Sequence, residues 1–275
     1  MPKQTFTDYN DELKFQKERW DAKPALRALY TRWYARIAAE IPPLRPIVEI
    51  GSGCGNFKAF LPEAVATDYT HCGAWIDRVV DATQMPFSEN EVGNFVLLDC
   101  LHHLQRPLQF LRDATKALQP GGRIVFWEPA ATPWARLVYG RFHHEPLDLK
   151  QNLFAEDGTP PPADPGHTFT NMGIATLLFQ HGLGETLQRV PELNMVRREW
   201  SDFLVYPSTG GFSYSNFMPA PLASPLYSIE RVLTRPWASW LTGLRLLVVL
   251  EKKHVHHGVE RRGTQCMTPA RMPRP

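Results

Sequence analysis

Cysteine is scarce in this chain of 275 residues, and Cys54, Cys72, Cys100 and Cys266 form no C-x-x-C pair. That excludes a zinc site of the usual spacing and gives no sign of a disulfide framework. The four read as reduced thiols of a cytoplasmic protein. An excess of either charge is also missing: 30 Lys and Arg stand against 28 Asp and Glu. The basic footprint of a nucleic-acid binder is therefore absent. Long apolar runs are missing too. The longest, Leu244 to Leu250, is interrupted by Arg245 and is far too short to span a bilayer. The amino end, Met1-Pro2-Lys3-Gln4-Thr5, has no apolar segment of the signal-peptide kind. What these absences leave is a soluble protein, with room for one α/β domain of about 200–250 residues plus extensions.

The glycines, in contrast, are concentrated where they matter. Pro46-Ile47-Val48 reads as a buried strand, and Glu49-Ile50-Gly51-Ser52-Gly53-Cys54-Gly55 carries it into a tight turn. Asn56 to Leu61 then reads as the first turns of a helix. Glycine suits a backbone that must approach a ligand closely and adopt positive φ, where a Cβ would clash. A strand, a glycine turn and a helix N-terminus make a pocket for a nucleotide-like ligand at the carboxyl edge of a parallel sheet. The dinucleotide fingerprint G-x-G-x-x-G would need a third glycine at position 56, which is Asn56.

Upstream, Leu26, Leu29, Tyr30, Trp33, Tyr34, Ile37 and Ile41 recur at helical spacing behind Pro24, so one face of that helix should be core. Downstream, Ala64–Asp68 reads as a second strand ending in a carboxylate. Asp68 lies near the distance at which such an acid meets ribose hydroxyls, the alternative being an ordinary loop aspartate. Val79-Val80 is a short third strand, Asn94–Asp99 a fourth that is buried on both faces, Leu108–Leu118 a helix, and Arg123–Trp127 a fifth strand. Gln119-Pro120-Gly121-Gly122 ends the helix between them. Asn171–Phe179 is expected to be helical, Glu185–Val190 and Met195–Tyr206 to hold strands, and Leu244–Glu251 to be the last strand.

The G-x-G-x-G turn behind Glu49 resembles the first motif of the class I S-adenosylmethionine-dependent methyltransferases. Asp81-Ala82 with Pro86-Phe87, Cys100-Leu101-His102-His103 and Leu118-Gln119-Pro120-Gly121-Gly122 with Glu128-Pro129 resemble the later motifs of that family. The His102-His103 segment looks like that of the small-molecule methyltransferases grouped as type 11. One departure is Asn94, where the family usually has Asp. The resemblance implies an α/β, Rossmann-like, seven-stranded, mostly parallel sheet with an antiparallel edge strand and helices on both faces. It implies S-adenosyl-L-methionine as cofactor, held by Glu49, Gly51, Ser52, Gly53, Gly55, Asp68, Asp81, Ala82 and Asp99. The expected organisation is a helical extension over 1–45, the methyltransferase domain over 46–251 with a lid at 130–168 and an insertion at 207–240, and a disordered tail over 252–275.

Methyl transfer from a sulfonium is an in-line displacement, so positioning contributes most, with a base adding about 10²–10⁴-fold where the nucleophile is protonated. The candidates are His102 and His103 after the fourth strand, and His143 and His144 beyond the fifth. The structural alternative for the first pair is a helix cap and a packed loop residue. Arg141–Asp148 holds two histidines and two acids, but adjacent residues of extended chain face opposite ways and no third ligand stands at useful spacing, so no metal is expected. Position 99–102 lacks the prolines of the [D/N]-P-P-[Y/F] motif of nucleic-acid amine methyltransferases. The expected partner is a small-molecule acceptor, apolar or ring-containing and methylated at oxygen, with peripheral membrane contact left open. The other class left open is a non-catalytic binder or scaffold with this fold.

Overall fold

The computed structural model describes residues 8–143, 145–155, 169–233 and 236–254. Helices α1 (Tyr9–Ala22) and α2 (Pro24–Ala39) come first, separated by Lys23. Pro24 opens α2 at a position where its missing N–H would have had no intrahelical partner. The helical row from Leu26 to Ile37 is buried, as its spacing predicts.

Next come β1 (Ile47–Ile50), α3 (Asn56–Phe60), β2 (Ala64–Asp68), β3 (Arg78–Val79), β4 (Val92–Leu98), α4 (Pro107–Ala117) and β5 (Leu118–Pro129). Beyond β5 are α5 (Pro133–Phe142), α6 (Ile174–Thr176) continuing into a π turn at Leu177–His181, and α7 (Leu183–Arg189). The chain closes with β6 (Leu193–Ser201), α8 (Val205–Ser208), α9 (Ala220–Leu233), α10 (Pro236–Thr242) and β7 (Arg245–Lys252). The seven strands are ordered β3-β2-β1-β4-β5-β7-β6. Strands β1 to β5 pair in parallel, and β7 runs antiparallel to both β5 and β6. The antiparallel edge is therefore built from β7 in the next-to-last place with β6 outside it.

Alternation along each strand splits the core into two layers. Val48, Ile50, Phe95, Leu97, Ile124 and Phe126 face α4 and the 174–179 segment, while Ile47, Val96, Val125 and Trp127 face α2. Both faces being covered, the strands read as continuous apolar runs. Because β2 and β4 flank β1, the carboxyl ends of β1 and β4 open a crevice where the connections leave in opposite directions.

Asn94, the family departure, is explained by its partners. Its amide nitrogen donates to the carbonyls of Leu44 (2.8 Å) and Pro42 (3.2 Å), and its oxygen accepts from Arg123 N (3.1 Å). An aspartate could not donate to those two carbonyls.

One expectation is corrected. Glu185–Val190 is not a strand but belongs to α7, whose Thr186 and the following Val190 are buried and whose Leu187 packs on the core. The spacing of these positions fits a helical turn, and the stretch is too short for periodicity alone to separate the two. The strand expected within Met195–Tyr206 ends at Ser201. Residues 1–7, 144, 156–168, 234–235 and 255–275 lie outside the described residues, and with them most of the expected tail and part of the expected lid. No described helix is long and apolar enough to cross a membrane.

Candidate functional site

The glycine turn leaves β1 at the crevice. Gly51, Gly53 and Gly55 have φ of +72°, +48° and +71°. A Cβ on Gly51 would also lie 2.6 Å from Cys100 Sγ, so this position excludes a side chain twice over. Beneath the turn, Glu49 is 4% exposed, and its Oε2 has no hydrogen-bond partner among the described residues; neither has Ser52 Oγ. Burial lifts the Glu49 carboxyl to about 7. A buried carboxylate oxygen without a donor is costly, and an ammonium group above it would supply one. On that observation the residues fit the amino acid end of S-adenosylmethionine.

Asp68, at the end of β2, is brought to the same turn. Its Oδ2 accepts from Gly53 N (2.9 Å) and the Tyr9 hydroxyl (3.2 Å), and its Oδ1 accepts from Tyr69 N (2.9 Å). Burial raises its carboxyl above the ordinary value, and these donors offset part of that. Helix α1 lies over the turn, with Leu13 3.6 Å from where a Gly53 Cβ would stand. Trp75 closes the other side, donating its ring N–H to Gly53 O at 2.9 Å. Tyr9, Leu13 and Trp75 carry no motif that reading the sequence could have used.

Asp81 is exposed, and its Oδ1 caps its own turn through Thr83 N and Thr83 Oγ1 at 2.8 and 2.7 Å; Ala82 beside it is buried. Asp99 adopts a φ of +52°. Its carboxylate pairs with Arg245 and accepts from the Tyr30 hydroxyl at 3.4 Å.

Directly after Cys100, the chain makes a 3-10 turn at Leu101–His103. This turn sets the rings of His102 and His103 side by side, 4.2 Å between centroids and tilted by 40°, instead of sending them to opposite sides. Glu128, fully buried at the end of β5, fixes the turn: Oε1 accepts from Cys100 N (2.9 Å) and Leu101 N (2.8 Å), and Oε2 lies 2.6 Å from His102 Nδ1. Across from them stands Glu145, 3.6 Å from His102 Nε2, 3.7 Å from His103 Nε2 and 3.6 Å from His143 Nδ1. Burial alone would lower the His102 pKa, yet the Glu128 and Glu145 carboxylates raise it to about 10. Burial and the neighbouring His102 charge push His103 down to about 4. His144 lies outside the described residues.

The structure thus joins three of the four candidate histidines around Glu145. That acid belongs to the 141–148 segment, but the residues it meets include His102 and His103 from the far side of the crevice. A cavity of about 350 Å³ adjoins the cluster, lined by Arg136, Tyr139, Gly140, His143, Glu145, Pro146 and Leu147.

This strand order, with a left-handed glycine turn over a buried acid at the carboxyl end of β1, is that of the Rossmann-like methyltransferase fold. Residues 48–126 match the family described as a methyltransferase domain. That match takes in less than a third of the chain, and with it the chain resembles the class I S-adenosylmethionine-dependent methyltransferases, whose cofactor is S-adenosyl-L-methionine. It is similar, at 27% identity over 154 residues, to the 27-O-demethylrifamycin SV methyltransferase of Amycolatopsis mediterranei. That match takes in 46% of this chain and 57% of the relative, so little more than half of the relative's length is spanned. Among solved structures, a SAM-dependent methyltransferase from Archaeoglobus fulgidus superposes with a TM-score of 0.50 at 16% identity, over 82% of this chain and 94% of that one. One from Thermotoga maritima gives 0.51 at 13% identity, over 89% and 99%. At those identities the likeness shows the fold.

Proposed function

We propose that this protein transfers the methyl group of S-adenosylmethionine to an oxygen of a small, ring-containing acceptor. The observation that carries the reading is the juxtaposition of two unlike polar sites at one crevice: the glycine turn over Glu49, and the histidine cluster two residues beyond Cys100, which touches that turn. Glu49 and Ser52 hold the ammonium end of the cofactor, Asp68 takes the ribose hydroxyls in place of the Tyr9 hydroxyl, and Asp81 with Ala82 borders the adenine. The acceptor enters the cavity beside Tyr139 and Glu145, a volume of the size that ligand pockets use. Its hydroxyl proton is taken up at the His102–His103–Glu145 cluster. The oxygen then attacks the methyl carbon in line, and the carbon–sulfur electron pair stays on sulfur. An oxygen acceptor is favoured by the name of the Amycolatopsis relative, a methyltransferase of 27-O-demethylrifamycin SV.

Calorimetric titration with S-adenosylmethionine, followed by a methyl-transfer screen over hydroxylated aromatic and macrocyclic compounds, tests the reading. Asp68→Ala should weaken cofactor binding at least tenfold, since charge-assisted bonds are worth about 1.5–3 kcal/mol each, with little change in melting temperature. His103→Gln should lose about 10²–10⁴-fold in turnover with cofactor affinity retained. Cofactor binding without transfer to any acceptor would instead make the protein a binder.

A further inference from the structure

His102, His103 and Glu145 present three ligand atoms that all lie within 4.8 Å of one another. The two His–Glu145 separations, 3.6 and 3.7 Å, are too long for hydrogen bonds. They are close to the edge of a tetrahedron whose centre stands about 2.0–2.2 Å from nitrogen and oxygen ligands, an edge of about 3.4 Å.

Hydrogen bonding on the far side of each ring sharpens the point. Glu128 already accepts two backbone N–H groups, and its other oxygen lies 2.6 Å from His102 Nδ1, so that nitrogen is the donor. His103 Nδ1 lies 3.3 Å from the carbonyl of Phe169 and is likewise the donor. With both rings neutral, the form that binds a cation, both Nε2 atoms are acceptors aimed at a carboxylate, which also only accepts, and a proton on His102 alone would leave His103 Nε2 still facing that carboxylate without a donor. Protonating both rings would set two positive charges on rings 4.2 Å apart. One cation between the three atoms satisfies all of them. A carboxylate on the second nitrogen of a histidine, as Glu128 is on His102, is the arrangement that orients metal-bound imidazoles.

We propose that His102 Nε2, His103 Nε2 and the Glu145 carboxylate bind a divalent transition-metal ion, of which Zn²⁺ is the representative. Two imidazoles and one carboxylate suit such an ion. Three protein ligands leave a coordination position open, the pattern of catalytic rather than structural sites. That position gives onto the cavity beside His143 and Glu145. Spacing along the chain argued against a metal, because it looked for the third ligand within 141–148; the fold supplies the others from the turn after β4. Resting on the methyl-transfer reading, the ion takes over the cluster's part in removing the proton: with His102, His103 and Glu145 engaged as ligands, it binds the acceptor oxygen and the proton leaves to water, in place of uptake by the metal-free cluster, before attack on the methyl carbon. The binding itself does not depend on that reading.

The full chain, stripped with a chelator and dialysed, is titrated with Zn²⁺ by calorimetry and with Co²⁺ by visible absorption. One tight ion per chain is expected, with the intense bands of low-coordinate Co²⁺. The double variant His103→Asn/Glu145→Gln should lose both signals. It also controls for His254, His256, His257 and Cys266 near the carboxyl end, which could bind metal on their own. Glu128→Gln should weaken Zn²⁺ about 10–100-fold; if that buried substitution impairs folding, the double variant decides alone. Absence of saturable binding, or binding that survives the double variant, overturns the site. Metal binding with no methyl transfer supports the site and rejects the function. Full-rate transfer by protein that binds no metal does the reverse.

Discussion

Glu49 lies within a buried strand, and burial holds its carboxyl at about 7 against an ordinary 4.5. The sign of its effect on stability follows from which state loses the proton first. Below about pH 4.5 both the folded and unfolded chains keep it, and Glu49 contributes no pH dependence. As pH rises, the unfolded chain ionises first, so stability falls progressively until the folded carboxyl also ionises near 7 and stays lower above that. The loss can reach on the order of 3 kcal/mol. Glu49→Gln, neutral throughout, should raise the melting temperature of the cofactor-free protein at about pH 8 and leave it nearly unchanged at about pH 4. The same variant should weaken S-adenosylmethionine binding at least tenfold, because an ammonium loses its charged partner. Melting curves of the two proteins that run parallel across this pH range would mean that Glu49 is solvated. Residues of this kind were legible because the turn's chemistry forces their spacing: three glycines and an acid announce themselves. Tyr9 and Trp75, which press on the same turn, satisfy no spacing rule and are placed by packing alone.

Elements meet at Arg245. In the sequence it was only an interruption in an apolar run; in the fold it opens β7, is 2% exposed, and pairs with Asp99 at the end of β4. Its guanidinium lies 4.9 Å from the Trp33 ring of α2 and 5.7 Å from the Tyr206 ring of α8. One cation thus ties β4, β7, α2 and α8 together. A charge in a buried strand was the available signal, but its partner lies 146 positions away and no local rule finds it. Breaking a buried pair leaves a charge uncompensated, costing about 3–5 kcal/mol. The Asp99 side chain is 29% exposed, so water recovers part of this, and Arg245→Met should cost about 2–3 kcal/mol. Adding Asp99→Asn should restore most of that loss in denaturant melts. A double variant no more stable than the single one would show that the aromatic stacking, not the ion pair, holds the junction.

For the molecule as a whole, the alternating strands and helices from β1 to β5 follow from local patterning, because parallel strands buried on both faces leave runs that few other structures accommodate. The second half is less legible, as α7 shows, because short elements there take their form from what they pack against. Glu230 on α9 is the main instance. Buried at 4% exposure, it accepts from Phe203 N at 2.8 Å, Leu204 N at 2.6 Å and Val205 N at 2.7 Å. Those are donors at the entry to α8 that the helix itself cannot satisfy, and a carboxylate there also suits the helix dipole. Residues 207–240 are thereby fastened to the end of β6, while Arg32 stacks on Tyr227 at 4.5 Å to hold α9 against α2. Glu230→Ala leaves three donors without an acceptor, the one at Val205 buried and worth about 1–3 kcal/mol, those at Phe203 and Leu204 partly open to water and worth less. The variant should melt several kcal/mol less stable, with faster hydrogen exchange over 203–233. None of these contacts reaches the glycine turn, so if the variant stays folded at room temperature its affinity for S-adenosylmethionine should equal that of the parent. Exchange that quickens equally in β1 and β4 would show that the segment and the sheet unfold as one unit, with Glu230 holding the whole molecule and not this part of it.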